Sequence, residues 1–206
     1  MAKRDNLRRR PPFRAPLPRV LIVCEGTRTE PAYFRETRHL NRSLIDLEIR
    51  PGGVPKTLVE RAVALKQSAA KEAKSQKDDN LSYDSVWCVF DIDEHPFVPE
   101  AKQKAKDNNI EVAISNPCFE LWVLLHYRDQ RAHIDRSSVQ SECRKYIPGY
   151  DKELPTARLF PHYAEALRRA RELDVWQLSR GCDGENPSTG VYRLMEQIKS
   201  RSLASD

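Results

Sequence analysis

The sequence predicts an α/β protein whose mainly parallel central sheet is flanked by helices. Three observations carry this. Short, almost continuously apolar runs alternate with helix-patterned segments; two of those runs end abruptly in acids; and no internal repeat interrupts the alternation. At 206 residues, with 39% hydrophobic and 32% charged side chains, the chain is long enough for one medium domain with a sizeable core and a very polar surface.

Residues 1–18 read as a basic, Pro-rich disordered arm, with arginines followed by Pro11, Pro12, Pro16 and Pro18 and no apolar periodicity. Residues 1–19 hold seven Lys/Arg against one acid, a surplus of six. The formal net charge of +5 therefore leaves about −1 for the other 187 residues. Such an arm suits docking on a phosphate backbone and equally a solubilising leader. Residues 19–127 are expected to form a metal-binding core and residues 128–206 a helical extension packed on it.

Arg19–Cys24 is the first strand, apolar throughout as a buried parallel strand should be. It runs into Glu25–Gly26–Thr27–Arg28–Thr29–Glu30, where Gly26 permits a tight turn and Thr29 suits a helix cap ahead of Glu30–Pro31. Helix follows to Leu40. Leu44–Arg50 is a weaker strand, ended by Pro51–Gly52–Gly53. Thr57 is expected to cap a long helix to Lys77, with Lys56 just before it as a surface lysine or a phosphate contact. Ser85–Phe90 is the third strand, and Asp91, Asp93 and Glu94 follow its end. A helix over 99–109 leads to a fourth strand, Ile110–Ser115.

Asn116–Pro117 is read as the start signal of an apolar helix through Tyr127. Further helices are expected over 138–146 and 163–173, and Asn186–Pro187–Ser188–Thr189 is read as capping a last one through Ile198. For Asn116, Asn186 and Ser188, capping competes with presenting backbone N–H groups to a phosphate.

Several function classes are excluded. No apolar run approaches the roughly 18–20 residues that cross a bilayer. Pro-rich sequence stands where a signal peptide needs its apolar stretch, so a cytoplasmic location is expected. Five widely spaced cysteines without a Cys-x-x-Cys pair indicate neither disulfides nor zinc. Cys24, Cys88 and Cys118 are expected as small core residues, and so is Trp122. No Gly-x-Gly-x-x-Gly or P-loop is present, so any ATP dependence must come from a partner.

The acids carry the chemistry. On an extended chain, residues two apart share a face, so Asp91 and Asp93 can converge on one cation. If the first and third strands are neighbours, Glu25 joins them at one sheet edge, where open α/β sheets place ligands. Carboxylates so crowded repel, and a divalent cation relieves that cost. Oxygen donors alone favour Mg²⁺ or Mn²⁺, and phosphoryl chemistry is what such a site does best. Glu120 lies in an apolar neighbourhood that favours a paired or functional carboxylate. Glu30 reads either as helix N-terminal stabilisation or as a metal ligand. His95, beside the acids, is the one histidine placed to matter.

Glu25–Gly26 after one apolar strand and Asp91–Ile92–Asp93 after another resemble the Toprim domain of topoisomerases, primases and OLD-type nucleases. With Glu25–Phe34, Asn116–Trp122 and Asn186–Thr189 added, the chain resembles RloB-family proteins over about residues 19–198. The resemblance implies a Toprim-like fold and a metal-dependent nuclease in bacterial abortive-infection defence against phage, acting on DNA or RNA, tRNA included. It also implies an ABC-type or AAA ATPase partner encoded nearby. It makes Glu25, Asp91 and Asp93 the first-metal ligands, Glu25 the candidate general base, and Glu30 and Glu120 candidates for a second metal. A non-catalytic regulatory or interaction module partnering the ATPase is the other reading.

Overall fold

The computed structural model describes residues 16–92, 95, 97–150 and 154–199. Most of the basic arm, Asp93, Glu94 and the last seven residues lie outside these. The elements run β1 (Arg19–Cys24), α1 (Thr29–Leu40), β2 (Asp46–Pro51), α2 (Pro55–Gln76), β3 (Ser85–Asp91), α3 (Val98–Asp107), β4 (Glu111–Asn116), α4 (Glu120–Leu125), α5 (Arg136–Tyr146), α6 (Thr156–Leu159), α7 (Tyr163–Ser179), β5 (Ser188–Thr189) and α8 (Val191–Lys199).

The five strands form one sheet in the order β2-β1-β3-β4-β5. The first four are mutually parallel and only the two-residue β5 is antiparallel, as the sequence predicts for the fold class. The alternation of strand side chains divides the interior in two. Val20, Ile22, Trp87, Val89 and Ala113 face one core with Tyr33 and Phe34 of α1, Leu121 to Leu125 of α4, and parts of α5 to α8. Leu21, Val23, Val86, Cys88 and Phe90 face the other, beneath α2 and α3. Cys24, Cys88, Cys118 and Trp122 are fully buried core residues, as expected.

After β1 the chain goes to β2 on one side; β3 then enters on the other side of β1. That reversal opens a crevice at the carboxyl ends of β1 and β3, where doubly wound sheets hold ligands. Glu25 and Asp91 stand at that point.

Several expected caps are replaced by other devices. Thr29 and Thr57 lie inside their helices, and α1 and α2 begin after Arg28 and Val54 with no side-chain cap. Pro55 at the first position needs no N–H partner and has its φ set for helix, which does the starting. Lys56 lies over the Phe97 ring, 5.6 Å from its centroid. Lys77 takes a left-handed conformation (φ 53°) and closes α2 by donating its N–H to Ala73 O. Asn116 ends β4 rather than starting a helix; its Nδ2 donates to Gly184 O at 3.1 Å. Asn186 likewise turns to a neighbouring segment, exchanging two hydrogen bonds with the backbone of Ile134 at 3.0 and 2.8 Å. Ser188 and Thr189, expected as a helix start, pair with β4 instead, and Thr189 Oγ1 lies 3.0 Å from Ser115 Oγ.

A carboxylate cleft at the end of the parallel sheet

The C-terminal edge of β1 and β3 forms the floor of a cleft of about 450 Å³. Glu25, Glu30, Asp91 and Glu120 line it, together with Arg28 and Arg136. Each acid arrives by a local cause. Glu25 is the first residue after β1, and its N–H still pairs with Val89 O at 2.9 Å, which extends the ladder and holds it beside β3. Its Oε2 accepts the Asp91 N–H at 3.2 Å, and its Oε1 lies 3.1 Å from His95 Nε2.

Glu30 sits in the first turn of α1 and folds back so that Oε1 accepts the Gly26 N–H at 3.3 Å. Only a glycine allows this: a Cβ on residue 26 would stand 2.1 Å from Glu30 Oε2. Glu30 is 8% exposed. Burial raises its carboxyl above the ordinary range, two backbone N–H groups pull it down, and the charges of Glu120 and Glu25 push it further up.

Asp91 ends β3, opposite Ser115 of β4. Its Oδ2 accepts from Arg136 Nη2 at 2.9 Å. Burial raises its carboxyl well above the usual carboxylate range. Arg136 opposes the shift, and Glu30, Glu25 and Glu120 reinforce it. Glu120 opens α4, where Oε1 accepts from Tyr150 Oη at 3.0 Å and from Gln140 Nε2 at 3.3 Å.

Four of the five acids that the sequence singles out as ligands thus surround one cleft, and Asp93 lies outside the described residues. Among the described residues, no three His, Cys, Asp or Glu side chains are gathered closely enough to hold a metal ion as they stand. The donor chemistry nonetheless fits a hard divalent cation. All four groups are carboxylates, and among the described residues no thiolate lines the cleft. Burial raises Asp91 and Glu30, and the neighbouring carboxylates add to that, a cost that a bound cation would relieve. Sequence reasoning missed Arg136, Gln140, Tyr150 and Arg28. The Asp135 cap, whose Oδ1 accepts from the Ser138 N–H at 2.9 Å, marks the start of α5 in the sequence, but nothing local brings that helix over the acids.

Fold and site together define an α/β protein with an acidic cleft at the switch point of a parallel sheet. A family model for RloB-like proteins matches residues 20–198, and the chain belongs to that family. No curated protein and no solved structure matches it. Among the described residues no helix is long and apolar enough to cross a membrane.

Proposed function

We propose that the protein is a divalent-metal-dependent nuclease that hydrolyses phosphodiester bonds of DNA or RNA, tRNA included. In this reading it is the effector of an anti-phage abortive-infection system and works with an ABC-type or AAA ATPase. The observation that carries the nuclease reading is the meeting of Glu25 and Asp91 at the ends of two adjacent parallel strands, with Glu30 and Glu120 around the same cleft. The defence setting and the ATPase rest on the family resemblance.

Glu25 and Asp91 would hold Mg²⁺ or Mn²⁺, with Asp93, Glu30 and Glu120 as further donors, and the cation would offset phosphodiester charge and acidify a bound water. The chain's own groups do the rest. The Asp91 N–H at Oε2 and His95 Nε2 at Oε1 orient the Glu25 carboxylate, which would take a proton from the attacking water with His95 beside it. Phe119 contributes an apolar side to the cleft.

The test uses purified protein with supercoiled plasmid and bulk tRNA, with and without Mn²⁺. Cleavage of one substrate that needs the metal and falls at least about 100-fold in Asp91→Ala and Glu25→Ala is expected, the scale on which electrostatic stabilisation of a transition state is lost. Cleavage unchanged in both folded variants would sink the proposal. One observation favours a second reading, a non-catalytic module: Arg136 pairs with Asp91 and His95 lies against Glu25, so the protein's own groups face two of the acids. A module of that kind would show no shift in melting midpoint with Mg²⁺ or Mn²⁺.

A further inference from the structure

The cationic partner of Asp91 sits on the outside of the pair. The Asp91 side chain is 15% exposed and the Arg136 side chain 40%, so the arginine, though its Nε is buried, is the more exposed partner and covers a carboxylate fixed to the sheet. One helical turn further along α5, Gln140 reaches Glu120 at 3.3 Å, and beyond the end of α5 Tyr150 reaches the same carboxylate. Residues four apart share a helix face. The N-terminal half of α5 therefore lies across two acids, one at the end of β3 and one at the start of α4, and reaches both by side chains.

We infer that Arg136 is a placeholder cation. In the metal-free protein its guanidinium takes the position on Asp91 that a divalent ion takes in the loaded one, so metal entry and withdrawal of Arg136 are a single exchange. This rests on the reading of the cleft as a metal site. Three facts of geometry support it. A guanidinium and a divalent ion cannot share one carboxylate oxygen without repelling. The buried partner, Asp91, is backbone-anchored in β3, whereas Arg136 is the half-exposed member with solvent to move into. Arg136 also begins its helix, so its side chain can swing without disturbing the interior turns. The exchange keeps the four acids from ever facing one another uncompensated, and it makes the position of α5 report metal occupancy.

The test is direct Mn²⁺ binding, read from the electron paramagnetic resonance signal of free Mn²⁺, for the full-length wild type, Arg136→Gln and Arg136→Lys. With the competing charge removed, Arg136→Gln should bind Mn²⁺ about five- to tenfold more tightly, the scale of losing one partly exposed ion pair. Arg136→Lys should stay within about twofold of wild type. Equal or weaker binding in a folded Arg136→Gln overturns the inference while leaving the metal site intact. Binding by neither protein removes the metal site and the inference together.

A second measurement needs no variant. Arginine-specific labelling with phenylglyoxal, followed by peptide mass analysis, should modify Arg136 several-fold faster once Mn²⁺ is added. An Arg136 rate indifferent to Mn²⁺ in protein that binds the ion overturns the exchange.

Discussion

Gly26 and Glu30 are matched so closely that one methyl group separates them from collision: a Cβ on residue 26 would lie 2.1 Å from Glu30 Oε2 and 2.7 Å from its Cδ. The clashing atoms belong to the far end of a side chain rather than to backbone. The carboxylate would move and the fold would stay.

Gly26→Ala is therefore expected to leave far-ultraviolet circular dichroism and the melting midpoint almost unchanged while displacing Glu30 from the cleft. If Glu30 is a ligand, Mn²⁺ affinity should fall by about tenfold, as loss of one supporting donor group typically does. A variant that melts as wild type and binds Mn²⁺ as wild type would return Glu30 to the role of a helix-end acid.

Glu30→Gln should stabilise the metal-free protein at neutral pH. The folded carboxyl is raised above its unfolded range, chiefly by burial, so the folded state holds its proton longer. Its contribution to stability is complete below the unfolded pKa and is lost as pH rises through the folded one. Glutamine keeps an oxygen for the Gly26 N–H and has no charge to bury. In EDTA at pH 7 the midpoint should rise by roughly 2–4 °C, the shift that about 1 kcal/mol gives at this size. The difference should vanish near pH 4, and with Mn²⁺ present the wild type should gain more than the variant. A midpoint lowered at pH 7 would show that the carboxylate is held by its N–H partners more strongly than it is penalised.

What the sequence shows and what it hides differ by the range of the forces involved. Arg19–Cys24 and Ser85–Asp91 are legible because a buried parallel strand must be apolar along its length and must stop where it meets water, so Glu25 and Asp91 announce the sheet edge. Helix starts are less legible. Thr29, Thr57, Asn116 and Asn186 have the chemistry of caps, but Pro55 does that work for α2, and the two asparagines find partners at Gly184 and Ile134, 68 and 52 residues away. The two-residue β5 has no signal of its own, since the end of β4 defines it. Arg136 is hidden for the same reason. Its partner is 45 residues earlier, and the pairing depends on how α5 packs on α4.

His126 should give the protein an acid-labile core. It is 1% exposed, and burial lowers its imidazole to about 4. Neutral, its Nδ1 donates to Trp122 O at 2.9 Å, and its Nε2 lies 3.4 Å from Tyr33 Oη. As pH falls from 6.5 towards 4, the unfolded imidazole takes a proton that the folded one refuses, so stability present above pH 6.5 is lost through that window, by roughly 3 kcal/mol in all. His126→Asn keeps a donor for Trp122 O and does not titrate. It should be less stable at pH 7 and show a shallower loss between pH 6.5 and 4 in urea denaturation. Parallel pH profiles for the two proteins would mean that the histidine is protonated in the fold.

Arg169 ties α7 to the end of α4, and its loss should be felt across both. From α7 its Nη1 donates to Leu125 O at 2.8 Å and His126 O at 3.0 Å. These carbonyls close α4 and have no partner further along that helix. The guanidinium satisfies them and places a positive charge at the negative end of the helix. Its side chain is 16% exposed, so water does not readily replace it. Arg169→Ala leaves two carbonyls short and should cost about 2 kcal/mol, the scale of charge-assisted hydrogen bonds. Arg169→Lys can reach only one of the two and should recover about half. Because α4 begins at Glu120, the loss should also weaken Mn²⁺ binding modestly, within about threefold, if Glu120 contributes to the site. Urea denaturation and Mn²⁺ titration of the same preparations separate the two effects: a lowered midpoint with unchanged affinity would place Glu120 outside the ligand set and leave Arg169 a purely structural tie.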